Sequence, residues 1–168
     1  AKTTTSINMG RMFVRMGMSC VLVDVDQRRG TLATTLKLPR SPDLVDVLDG
    51  SASVEDALHQ DHATDLSVIT TRLDASDPAG VLLTDKLPSL VEELRGRFDV
   101  VILDTAPLLP VADALPATRL ADQIVMMVPY GSAADDIVTG RRTLDRAGSP
   151  PTVAVMSFAP ADAILSYY

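Results

Sequence analysis

Cysteine is nearly absent from this sequence. Cys20 is alone in 168 residues, which excludes an intramolecular disulfide and a cysteine metal cluster and fits a reducing compartment. A single thiol of this kind is expected to serve as a small buried apolar group. Basic residues are also in short supply, 15 Lys and Arg against 22 Asp and Glu for a formal charge of -7. They are scattered, so no nucleic-acid partner is expected, because binding a phosphate backbone needs concentrated positive charge. No apolar run approaches the roughly 20 residues that span a bilayer, and residues 1–20 lack a signal-peptide core. The domain is therefore expected in the cytoplasm. Internal repeats, linkers and any break that would mark a second domain are missing as well.

What is present is enough for one substantial core, since 46% of the residues are hydrophobic. Apolar runs predict strands near Cys20–Asp24, Leu66–Thr71, Asp99–Asp104, Gln123–Val128 and Thr152–Phe158, separated by helical patterns. Continuous apolar strands alternating with helices imply an α/β fold, a parallel sheet with helices on both faces. Thr4 to Met16 reads as a helix stopped by Gly17, with Met9, Met12, Phe13 and Met16 on one face. Leu87, Leu90, Val91 and Leu94 form a second stripe, and Ser132 with Asp135 resembles a capping box ahead of Ile137 and Leu144. Adaptable packing explains the seven methionines. His59, Asp61 and His62 could suggest a metal, but no further ligand lies nearby, and a solvated helix end is the expected reading.

Three polar clusters carry chemistry. Lys2-Thr3-Thr4 reads as the tail of a phosphate-binding loop, in which a lysine reaches the β- and γ-phosphates and a hydroxyl ligates Mg²⁺. Val21 to Arg28 is a buried strand running into Asp24-Val25-Asp26-Gln27-Arg28, and Val100 to Thr105 is a second strand ending in Asp104. In open α/β sheets ligands sit beyond the carboxyl ends of the strands, so the clusters converge on one ATP site. Lys2, Thr3 and Thr4 are candidate nucleotide-binding residues, the phosphates meeting a helix N-terminus. Mg²⁺ takes hard oxygen ligands and keeps several waters. Thr3 is expected to bind it directly, Asp104 through a water, and Asp26 as a further metal partner. Asp24, at the end of its strand, is a candidate general base. Arg28 is expected to contact phosphate or a neighbouring subunit.

With these residues placed, the sequence resembles the bacterial tyrosine kinases of capsular and exopolysaccharide synthesis, P-loop ATPases with a deviant phosphate loop. Lys2-Thr3-Thr4 matches the end of Walker A, Asp24 to Arg28 the DxDxR Walker A′, and Ile102-Leu103-Asp104-Thr105 Walker B. Pro42 to Gly50 resembles the family's "GLSDVLxG" segment, Asp77 to Leu83 its "NPAELL", Thr105-Ala106-Pro107 with Asp113-Ala114 its "TPP…DA", and Tyr130-Gly131 also fits. The chain departs from the family at Ala106, in place of the first proline, and at Ser157, where relatives place an adenine-reading asparagine. Ala1 stands where a glycine normally precedes the lysine. The glycine-rich half of the loop and the strand before it would precede residue 1, so the chain is expected to be a fragment.

The resemblance implies a P-loop kinase domain over residues 1–158 and a short tyrosine-bearing tail over 159–168. It implies ATP and Mg²⁺ as cofactors, catalytic roles for Lys2, Asp24, Asp26, Arg28 and Asp104, and phosphate acceptors at Tyr167 and Tyr168 of an adjacent subunit. It also implies a homo-oligomer loosened by phosphorylation, membrane association, and a membrane-embedded adaptor that regulates polysaccharide chain length, fused upstream or encoded separately. Two other readings stand beside it: a partitioning or division-site ATPase of the same superfamily, and a regulatory module that keeps the fold without binding nucleotide.

Overall fold

The computed structural model describes residues 2–73, 85–109 and 114–160. The first half comprises α1 (Lys2–Arg15), β1 (Cys20–Asp24), α2 (Thr31–Leu36), α3 (Leu44–Asp49), α4 (Val54–Ala57), β2 (His59–Gln60) and β3 (Ser67–Ile69). The second comprises α5 (Lys86–Arg95), β4 (Val100–Asp104), α6 (Leu115–Thr118), β5 (Val125–Pro129), α7 (Ala134–Arg146) and β6 (Val153–Ser157).

β1 is the centre, with all five residues buried. It pairs in parallel with β3 on one side and β4 on the other, and β2 adds an antiparallel edge beyond β3. Alternate side chains of β1 enter different cores. Val21 and Val23 pack with Leu44, Leu48, Leu87, Leu90, Val91 and Leu94 of α3 and α5. Cys20 and Leu22 pack with Ile7 of α1, Leu32 and Leu36 of α2, and Leu66 and Val68. Apolar side chains at both parities are what a strand covered on both faces requires, and this is the α/β architecture expected from the sequence.

Several details differ from the expectation. The strands fall where predicted within a few residues, but β2 is an addition, formed by the pair His59–Gln60 that reads as polar. The sheet is also divided, since β5 and β6 pair only with each other among the described residues. The buried face of α1 is not the methionine stripe: Ile7 and Gly10 are buried, Met9 and Phe13 are half-buried, and Met12 and Met16 are exposed. Gly10 sets this face. A Cβ there would lie 2.8 Å from the Leu66 Cδ1, so the missing side chain lets Leu66 close on the helix. Packing likewise fails to explain Met156, which is 60% exposed.

Ser132 does not cap α7. Its hydroxyl donates to the Pro129 carbonyl at 2.7 Å, and the helix begins at Ala134 with no side-chain cap. Full capping boxes stand instead on α3, where Asp43 accepts from the backbone of Val45 and Asp46 and Asp46 returns the bond to Asp43, and on α4, where Ser53 and Asp56 pair in the same way. His59 contacts the Pro42 carbonyl at 3.1 Å through Nε2, and Asp61 is held by Arg11 through paired bonds of 2.8 Å. The family-like segments at Asp77 to Leu83 and at Asp113 lie outside the described residues.

Candidate functional site

The parallel register places Asp24 opposite Asp104 at the carboxyl ends of β1 and β4. The backbone carries the pairing one step further, with the Val25 N–H donating to the Asp104 carbonyl at 2.9 Å. Directly above this edge α1 begins. The Thr3 hydroxyl donates to Asp104 Oδ2 at 2.6 Å, and the Ser6 hydroxyl reaches Asp104 Oδ1 at 3.0 Å. Thr3 also meets the Thr31 hydroxyl at 3.3 Å. Lys2 and Thr3, 22 and 21 residues before Asp24 in the chain, thus stand beside β4 at the end where its carboxylate lies.

The segment after β1 folds back through its own carboxylates. Asp24 Oδ1 accepts the Asp26 N–H at 3.1 Å and Oδ2 accepts the Leu32 N–H at 3.2 Å, an N–H of the first turn of α2. Asp26 Oδ1 accepts the N–H groups of Arg28 and Arg29, each at 3.2 Å. The turn closes at Gly30, where φ is 46° and a Cβ would lie 3.0 Å from the Thr71 carbonyl oxygen. Both the left-handed backbone and the close approach favour glycine there. Asp24, Asp26 and Asp104 are buried, whereas Arg28 is exposed.

Electrostatics follow from this burial. Desolvation pushes the Asp24 carboxyl up to about 7, against the two backbone N–H groups, and the charges of Asp104 and Asp26 push the same way. Desolvation also raises Asp104, opposed by the Thr3 hydroxyl, the charge of Lys2 and the Ser6 hydroxyl. Thr3 and Asp104, joined at 2.6 Å, present hard oxygens of the kind Mg²⁺ prefers, although among the described residues no group of three acidic, His or Cys side chains is placed to hold a metal ion.

The structure places Lys2, Thr3, Asp24, Asp26 and Asp104 near one another at the carboxyl ends of β1 and β4. Thr4 lies exposed on α1. Tyr167 and Tyr168 lie outside the described residues. The sequence reading overlooked Ser6 and Thr31. Ser6 was within reach of a simple argument, because positions three and four apart share a helix face, which aligns Ser6 with Lys2 and Thr3. Thr31 carried no such signal, since only the turn at Gly30 brings it back to Thr3. Ser157, at the end of β6, donates to the Val128 carbonyl at 3.4 Å.

The family model described as "AAA domain" matches residues 1–136. The chain is 32% identical over 130 residues to the tyrosine-protein kinase YwqD of Bacillus subtilis, covering 77% of this chain and 55% of YwqD. It is 29% identical over 149 residues to the tyrosine-protein kinase CpsD of Streptococcus pneumoniae, covering 88% of this chain and 66% of CpsD. It spans only 17% of two further relatives. The fold matches the crystal structure of the VpsO kinase domain with a TM-score of 0.86 at 24% identity, over 94% of this chain and 78% of that one. With Lys2-Thr3, the DxDxR turn and the Walker B aspartate meeting at one sheet edge, the chain belongs to the bacterial tyrosine-kinase family of P-loop ATPases.

Proposed function

We propose that this chain is the catalytic part of a protein-tyrosine autokinase that uses ATP. The observation that carries the reading is the meeting of Thr3 and Asp104 at 2.6 Å beside Asp24, beyond the carboxyl ends of two parallel strands. Phosphoryl transfer asks a protein chiefly for positioning and charge neutralisation, and these residues divide that work. Lys2 and the first N–H groups of α1 bind the phosphate oxygens of ATP. Thr3, Asp104 and Asp26 would hold Mg²⁺, which when bound would neutralise negative charge on the phosphates. Asp24 accepts the phenolic proton as the tyrosine oxygen bonds to the γ-phosphorus and the bond to the ADP oxygen breaks. A carboxyl near 7 suits this, because a base works best with a pKa close to the working pH.

In this reading Tyr167 and Tyr168 are the acceptors and belong to a neighbouring subunit, so the active form is a homo-oligomer. Arg28, exposed on the turn after β1, faces either a phosphate or that neighbour. Phosphorylation adds charge to the tail and repels the acidic surface of the next molecule. The domain works at the cytoplasmic face of a membrane through an adaptor that regulates capsular or exopolysaccharide synthesis and chain length. No helix among the described residues is long and apolar enough to cross a membrane itself.

The test is tyrosine-specific phosphate transfer from Mg-ATP, using the chain with a glycine-rich loop placed ahead of Lys2. Asp104→Asn should abolish transfer while leaving the protein folded. Undiminished transfer in that variant would remove Asp104 from the mechanism.

A further inference from the structure

The basic residues, scattered along the sequence, are gathered by the fold. Residues 1–42 hold seven of the 15 Lys and Arg but only two of the 22 acids, Asp24 and Asp26, and both of those are buried. A chain with a formal charge of -7 thus keeps one positive region, and part of it adjoins the carboxylates of the site. We propose that Arg29, Lys37 and Arg40 form a docking strip for an acidic peptide segment, the residues that flank the tyrosine acceptor. The tyrosine in this statement rests on the kinase reading, whereas the acidic character rests on the strip alone.

Three observations support this occupant. The first is continuity with the site. Asp26 Oδ1 accepts the Arg29 N–H and Asp24 Oδ2 accepts the Leu32 N–H, each at 3.2 Å, so α2 departs from the proposed base itself. It carries exposed Thr34 and Thr35 to Lys37, its C-terminal cap, and the exposed Arg40 turns back to donate to the Thr34 hydroxyl at 2.8 Å. That bond holds Arg40 alongside the helix. Six helical residues rise about 9 Å, the span of about three residues of extended peptide. Lys37 and Arg40 therefore stand where the neighbours of an acceptor residue would lie.

The second is uncompensated charge. Arg11, Arg72, Arg95, Arg97 and Arg141 are each held by a carboxylate. Among the described residues no ion pair holds Arg29, Lys37 or Arg40, and no acid occurs from Gln27 to Pro42. Their charge is open to a partner, and an acidic segment repelled by the rest of the molecule is drawn to this strip.

The third is a single apolar contact at the end nearest the carboxylates. Leu73 is 53% exposed, and its Cδ2 would lie 3.1 Å from a Cβ at Gly30. It covers the turn between Arg29 and α2, a surface on which an aromatic ring can rest. A short row of cations beside one apolar side chain fits a peptide. A nucleic-acid backbone or an anionic bilayer spreads its charge further and would meet the acidic remainder of the molecule.

The test reads binding without nucleotide, so its failure and that of the kinase reading are distinguishable. Fluorescence anisotropy compares labelled Glu-Glu-Tyr-Glu-Glu with Gln-Gln-Tyr-Gln-Gln on the chain and on Lys37→Asn/Arg40→Gln. Asparagine suits the left-handed backbone at Lys37, where φ is 56°, and a glutamine amide can still donate to Thr34. Arg141→Gln/Arg142→Gln, on α7, removes the same charge elsewhere. The acidic peptide should bind about tenfold tighter at low salt, with the advantage lost towards about 0.5 M. The strip variant should weaken its binding about fivefold, and the α7 variant should leave it unchanged. Equal affinity for the two peptides, or equal losses in the two variants, would overturn the proposal, even if the chain transfers phosphate to its tyrosines. So would tighter binding of phosphatidylserine vesicles or of a single-stranded oligonucleotide that the strip variant abolishes, which would give the strip to a membrane or to a nucleic acid.

Discussion

At the residue scale the site is a compromise between burial and charge, and Asp24 expresses it most clearly. The folded chain holds the Asp24 proton up to about pH 7, whereas an unperturbed aspartate releases it near 3.8. Between these values the folded state binds more protons than the unfolded one, so the contribution of Asp24 to stability falls as pH rises through that window. Urea unfolding over this pH range should therefore show a decline that is flattened in Asp24→Asn. The variant also loses one of two backbone hydrogen bonds, because an amide offers one acceptor oxygen where the carboxylate offers two. An unaltered slope in the variant would assign the pH dependence elsewhere. The two hydroxyls on Asp104 should rank by geometry: Thr3→Ala, which removes the shorter bond, should cost more than Ser6→Ala, with each loss about 1–3 kcal/mol at alkaline pH. Chemical denaturation decides the order. Asp24 and Asp104 were legible in the sequence because each ends an apolar strand, and Asp26 because it follows Asp24 in the DxDxR spacing. Ser6 and Thr31 were not read as part of the site, since their roles come from the helix face and the turn that bring them to Asp104 and Thr3.

At the scale of elements, legibility depended on how much of the signal was local. β1 announces itself as an unbroken apolar run, and the structure places it where the run lies, buried on both faces. Leu22 is fully buried against α1 and α2, on one face of the sheet. Leu22→Ala should destabilise the protein by about 2–5 kcal/mol, read as a shift in the urea midpoint with an unchanged slope. A loss well under 1 kcal/mol would mean that the core around β1 collapses to fill the space. β2 escaped notice because two polar residues on an edge carry no alternation. The face of α1 was misjudged for a different reason: the methionine spacing looked like a stripe, but Gly10 draws Leu66 inward and rotates the buried side toward Ile7. Gly30 adds a further test at this scale. Gly30→Ala combines left-handed backbone with a contact to Thr71, and should cost about 1–2 kcal/mol while loosening the turn that carries Asp26, a change visible as faster amide exchange at Arg28 and Arg29.

For the whole molecule, the order of strands was the least legible property, because pairing between distant segments leaves no local pattern. The sequence implied one parallel sheet, and the division between β4 and β5 appears only in three dimensions. The central claim is that Lys2, Thr3 and the aspartates transfer phosphate to the chain's terminal tyrosines. Phosphosite mass spectrometry tests it most directly, on a chain extended upstream of Lys2 and incubated with Mg-ATP beside its Lys2→Ala counterpart. The account predicts phosphate on Tyr167 or Tyr168 that disappears in Lys2→Ala, and tyrosines left unmodified in both proteins would contradict it.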